Sequence, residues 1–96
     1  MTADLGPSAV RRSVMVVNKR GLHARAAAKF VKLAATFEAD IAVQRSGTSV
    51  CGSSIMGLMM LAAGPGTDLM IAGRGADAFA AVEALARLVM AGFDED

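Results

Sequence analysis

The sequence predicts an α+β domain with elements in the order βαββαβα and a sheet covered on one face by three helices. Three observations lead there. Two segments carry apolar residues at helical spacing: Ala27, Phe30, Val31 and Ala34 in one, and Phe79, Val82, Leu85, Ala86 and Val89 in the other. Stretches rich in β-branched residues or alternating in polarity read as strands. Glycine- and proline-containing turns separate these segments, with no internal repeat and no long linker. Helices of this length must bury their stripes, and a single sheet is the economical partner for a chain of 96 residues, which supplies one modest core.

The elements follow in order. Residues 1–10, containing Gly6-Pro7-Ser8, read as a flexible N-terminal tail, and residues 11–93 as the folded domain. Arg12 to Val17 is the first strand, ended by the polar loop Asn18-Lys19-Arg20-Gly21. Ala24 to Phe37 is an amphipathic helix whose Arg25, Lys29, Lys32 and Thr36 fall largely outside the apolar stripe. Ile41 and Val43 alternate with Ala42 and Gln44, and Arg45-Ser46-Gly47 predicts a hairpin turn into Thr48 to Cys51. Ser53 or Ser54 caps a short helix from Ile55 to Ala62, which Gly64-Pro65-Gly66 stops. Asp68 to Ala72 is the fourth strand, Gly73-Arg74-Gly75 turns the chain, and Asp77 caps a last helix ending at Gly92.

Composition narrows the function. Ten basic and nine acidic residues give a net charge of +1, and four Phe with no Trp or Tyr leave few stacking platforms, so nucleic acid is a poor partner. Cys51 is the only cysteine; it can form neither an internal disulfide nor a cysteine metal cluster, and reads as a small buried hydrophobe. No His/Asp/Glu cluster suggests a metal, no serine has a credible triad, and no cofactor is expected. The N-terminus lacks the charged and apolar regions of a secretory signal. The uncharged stretch from Ser46 to Thr67 is broken by five glycines and a proline, too often for a membrane span. A cytoplasmic setting is expected.

Gly21-Leu22-His23-Ala24-Arg25 carries the chemistry. The only histidine stands immediately before a helix, where free backbone N–H groups and the macrodipole favour an anion, and Arg25 adds charge-assisted donors. Neutral imidazole is nucleophilic near neutral pH. A capping or surface histidine and a solvated first-turn arginine are the plain alternatives for these two residues.

A second block, Ser53-Ser54-Ile55-Met56-Gly57-Leu58-Met59-Met60-Leu61, follows at the distance that one family uses. From Ser13 to Gly92 the chain resembles the histidine-containing phosphocarrier proteins (HPr and its nitrogen-branch relatives) of the phosphoenolpyruvate-dependent phosphotransferase system. The run Asn18 to Arg25 is more similar to the nitrogen-related branch than to the sugar-transport branch. The resemblance implies an open-faced β-sandwich with a four-stranded antiparallel sheet. It implies that His23 accepts a phosphoryl group from phosphorylated enzyme I and passes it to an enzyme IIA, as a stoichiometric carrier rather than an enzyme. Arg25 matches the arginine that steadies the group in transfer. Ala26 stands where many members have proline, which leaves the helix start less stiff.

The same resemblance assigns Ile55, Met56 and Met59, with Arg20, to partner binding, and matches Ser54 to a serine that a dedicated HPr serine kinase/phosphorylase modifies in some bacteria. Ser54 reads equally well as a plain N-cap, and Ser53 beside it is an alternative target. Within the apolar run, Ile55 and Met56 are expected to face outward and Leu58 and Leu61 inward. The expected protein is a monomeric carrier; the alternative is a regulatory interaction module, controlled by serine phosphorylation, that has lost carrier activity.

Overall fold

The computed structural model describes residues 5–95. Strand β1 (Val10–Met15) leads to helix α1 (Ala24–Ala34), the hairpin β2 (Asp40–Arg45) and β3 (Thr48–Cys51), helix α2 (Ile55–Met60), strand β4 (Asp68–Arg74) and helix α3 (Ala78–Met90), and a short turn Gly92–Asp94 ends the order. The strands form one antiparallel sheet in the order β1-β4-β2-β3, which is the expected open-faced arrangement. No helix of the described residues is long and apolar enough to cross a membrane.

Alternation along the strands decides which face is covered. Val14, Ile41, Val43, Leu69 and Ile71 point toward the helices and join Phe30, Leu58, Val82, Leu85, Val89 and Phe93 in one core. Each such side chain, fully buried, contributes about 1.5–3 kcal/mol of transfer free energy. The other face carries a small second cluster, Ala42 and Ala72, covered by Leu5, Ala9 and Cys51. Leu5 and Ala9 belong to the expected N-terminal tail, whose residues 1–4 lie outside the described residues. Cys51 is only partly buried there.

Several boundaries differ from the sequence expectation, each for a local reason. The first strand runs from Val10 to Met15 and not to Val17; Val16 bonds instead to the bend before β4, accepting from Gly66 N at 2.8 Å and donating to Thr67 O at 2.9 Å. Helix α1 stops at Ala34, short of Phe37, where the Thr36 hydroxyl donates to Leu33 O at 2.7 Å and competes with the helical ladder. Strand β4 continues through Gly73 and Arg74, which pair with Val10 and Asp40. Gly73 is needed inside that strand because a Cβ would stand 2.7 Å from Val82 Cγ2 on α3. Asp77 occupies the N-cap position but does not cap: its Oδ2 accepts from Glu38 N at 2.7 Å, tying α3 to the loop after α1.

The hairpin forms as expected, and the short helix starts at Ile55 as expected but ends at Met60 rather than Ala62, whose φ of 52° is left-handed. Ser46 and Gly47 both have positive φ, 49° and 84°, as a two-residue turn between twisted strands demands. Ser54, not Ser53, caps α2, accepting from Gly57 N at 2.9 Å.

Candidate functional site

The loop before α1 is held by its contact with the end of α2. Gly21 has φ 61°, and a Cβ there would stand 2.2 Å from Ala63 O, so only glycine fits. Leu22 N donates to that same oxygen at 2.9 Å, and the Leu22 side chain is buried in the core. The next residue, His23, is thereby delivered to the N-cap of α1, extended at φ −75° and ψ 177°. Its carbonyl accepts the first helical bond, from Ala27 N at 2.8 Å, but its side chain makes no capping bond. The imidazole, 14% exposed, turns to Glu95, whose Oε2 meets Nε2.

Glu95 is brought from the far end of the chain. Asn18 Nδ2 donates to Glu95 Oε1 at 2.7 Å and to Gly21 O at 2.8 Å, joining the loop to the C-terminal segment. The Asn18 hydrogen bond, then that of His23, holds the Glu95 carboxyl below its usual value of 4.5. His23 Nδ1 has no hydrogen-bond partner among the described residues and is not sealed from solvent. It is the open nitrogen of the ring.

Lys19, Arg20, Arg25 and Lys29 surround a shallow basin of about 420 Å³ that Asp94 and Glu95 also line. Arg20 and Arg25 are exposed, so both guanidinium groups are free to reach an anion entering beside His23. Lys29 is committed elsewhere, donating to Phe93 O at 2.8 Å. Ala26, where proline was the comparison, is fully buried against the core.

Helix α2 shows its two faces as expected. Ile55 and Met56 are exposed, Met56 by 70%, while Leu58 and Leu61 are buried. Met59 is 41% exposed and Met60, which the sequence did not single out, is 77% exposed. Ser54 is half-buried at the start of this surface. Sequence reasoning missed Asn18 and Glu95 altogether. The only signal was a polar residue at the head of the Gly-Leu-His loop and an acidic chain end, with nothing to show that they meet across 77 positions.

Fold and site together define a small open-faced α+β domain that offers a single histidine at a helix start beside a basic basin. The chain belongs to the HPr family: the family model described as "PTS HPr component phosphorylation site" matches residues 10–91. It is 43% identical to phosphocarrier protein NPr of Shewanella violacea over 86 residues, 90% of this chain and 94% of that one. Phosphocarrier protein HPr of Neisseria meningitidis serogroup A is also 43% identical, over 90% of this chain and 97% of its own. Among solved structures, HPr from Bacillus anthracis superposes with a TM-score of 0.82 at 46% identity, covering 86% of this chain and 99% of that one. HPr-C-His from Thermoanaerobacter tengcongensis gives 0.86 at 36% identity, covering 91% and 98%. The chain is thus a phosphocarrier protein of the phosphotransferase system.

Proposed function

We propose that His23 accepts a phosphoryl group from phosphorylated enzyme I, with phosphoenolpyruvate as ultimate donor, and hands it to an enzyme IIA. The observation that carries this reading is the open Nδ1 of His23 at the start of α1, beside a basin lined by Arg20 and Arg25. Arg25 steadies the phosphoryl group in transfer. The chain acts as a stoichiometric carrier, because a shallow basin has no enclosed room for a small-molecule substrate and the partners complete the transfer site. It works as a cytoplasmic monomer.

Ile55, Met56 and Met59, with Arg20, form the surface on which both partners dock; unbranched methionines adapt to unlike surfaces. Ser54 is the regulatory position. A phosphate from an HPr serine kinase/phosphorylase is compatible with the helix start but places charge at the edge of the apolar surface. The similarity to an NPr supports an output in the nitrogen-related branch, and the similarity to several HPr proteins supports one in the sugar-transport branch.

The test is incubation with enzyme I, magnesium and phosphoenolpyruvate, followed by intact mass measurement. One acid-labile, base-stable phosphate is expected, absent in His23→Ala. No gain with a competent enzyme I, or a gain that survives His23→Ala, removes the proposal.

A further inference from the structure

Half of α2 is methionine: Met56, Met59 and Met60 stand within the six residues Ile55–Met60. Positions three and four apart are neighbours on a helix surface, so Met56 adjoins both of the others. Met60 and Met56 are the two most exposed large apolar side chains among the described residues, and Met60 extends the surface made by Ile55, Met56 and Met59. None of the three sulfurs has a hydrogen-bond partner among the described residues. The helix itself is held from its other side and its ends: Leu58 is fully buried, Ser54 caps the start, and Arg45 donates to Leu61 O and Ala62 O at the finish.

The remaining described methionines provide the contrast. Met70 is half-buried and its sulfur accepts from Ser13 Oγ at 3.8 Å, while Met90 Sδ accepts from Arg12 Nη2 at 3.9 Å. Met15 is exposed, but it lies on the edge strand opposite β3 and follows inward-facing Val14, so it points to the sheet face away from the helices.

We propose that Met56 and Met60 are sites of reversible oxidation by peroxides, and that their sulfoxides weaken docking of the partner proteins. This rests on the docking surface proposed above and names a modification that regulates it. A sulfur lone pair attacks one peroxide oxygen, the S–O bond forms as the O–O bond breaks, and the departing hydroxide takes the proton of the transferred oxygen and leaves as water. Sulfur is oxidised, and the peroxide reduced, by two electrons. A thiol-dependent methionine sulfoxide reductase reverses the change: the oxygen leaves as water and two thiols become a disulfide. The sulfoxide keeps the shape of the side chain but adds a strong acceptor, which an apolar partner surface strips of water without offering a donor. Because both side chains face outward, the core under α2 is untouched.

The experiment treats the full chain with hydrogen peroxide, destroys the excess with catalase, and locates the added oxygens by peptide mass spectrometry. KM and kcat for phosphorylation by enzyme I are then measured beside the melting temperature. Met56 and Met60 should gain oxygen before Met70 and Met90. KM should rise roughly tenfold or more with kcat and melting temperature unchanged, which marks lost docking and not damage at His23, and reductase treatment should restore it. Met15→Leu should keep the whole response; the double variant Met56→Leu/Met60→Leu, whatever its own KM, should show none. Earlier oxidation of Met70 or Met90, a KM indifferent to oxygen on Met56 and Met60, a response that persists in the double variant, or a melting temperature that falls with the response overturns this proposal and leaves the carrier reading standing. An untreated parent that takes no phosphate from competent enzyme I overturns the carrier reading and this proposal with it.

Discussion

The backbone N–H of Leu22 donates to the carbonyl oxygen of Ala63 at 2.9 Å, so the segment carrying His23, the proposed phosphoryl acceptor, hangs on the end of α2, the proposed docking helix. Arg45 Nη1 donates to Leu61 O at 2.7 Å and to Ala62 O at 3.2 Å, holding that helix end in turn. The two sequence blocks separated by about thirty positions are therefore one mechanical unit, and four predictions test its parts.

Gly21→Ala should destabilise the protein by about 2 kcal/mol or more. A side chain at φ 61° costs about 1–2 kcal/mol by itself, and its Cβ would press on a backbone oxygen that cannot swing aside. Urea unfolding measures the loss, and phosphoryl acceptance should fall with it because His23 is displaced. An unchanged midpoint would show that the loop is not seated on Ala63.

Arg25→Ala should leave the melting temperature unchanged, since the side chain is exposed and makes no hydrogen bond or ion pair among the described residues. Transfer should slow by roughly tenfold or more if a charge-assisted contact of about 1.5–3 kcal/mol is lost in the transition state. Rapid-quench transfer assays with enzyme I decide it, and parent-like rates would return Arg25 to a solvated surface charge.

Ser54→Ala and Ser54→Asp should separate the cap from the docking surface. Alanine removes the acceptor for Gly57 N–H and should cost about 1 kcal/mol, whereas aspartate keeps the cap and complements the helix start. In binding the order reverses: Ser54→Asp should weaken the complex with enzyme I, as should Met56→Glu, because charge must be desolvated against an apolar partner. Tight binding by Ser54→Asp would leave the serine as a cap alone.

Acid should release the C-terminal segment at an unusually low pH. Glu95 is held below its ordinary value of 4.5, first by Asn18 and then by His23. A carboxyl depressed in the folded state adds stability above its unfolded pKa and loses it as pH falls through the folded one. The side-chain carboxyl resonance of Glu95 should therefore titrate with a midpoint below 4.5, together with the amides of Gly92–Asp94. A midpoint at or above that value contradicts the contact with Asn18.

The sequence by itself determined the order of the elements, the hairpin at Ser46-Gly47, a serine cap at Ser53 or Ser54 and the two faces of α2, because each follows from residues within a few positions of one another. The Gly-Leu-His-x-Arg run likewise located the candidate acceptor at a helix start, since helix signals and the motif are both local. Only the tertiary structure decided where His23 points. It turns away from its own helix to Glu95 because α3 and a left-handed turn anchored by buried Phe93 carry the chain end back to the loop. The same is true of Asp77, whose carboxylate left its helix for Glu38 N. Side-chain partners chosen across 39 or 72 positions depend on how the helices pack on the sheet, and no local periodicity encodes that choice.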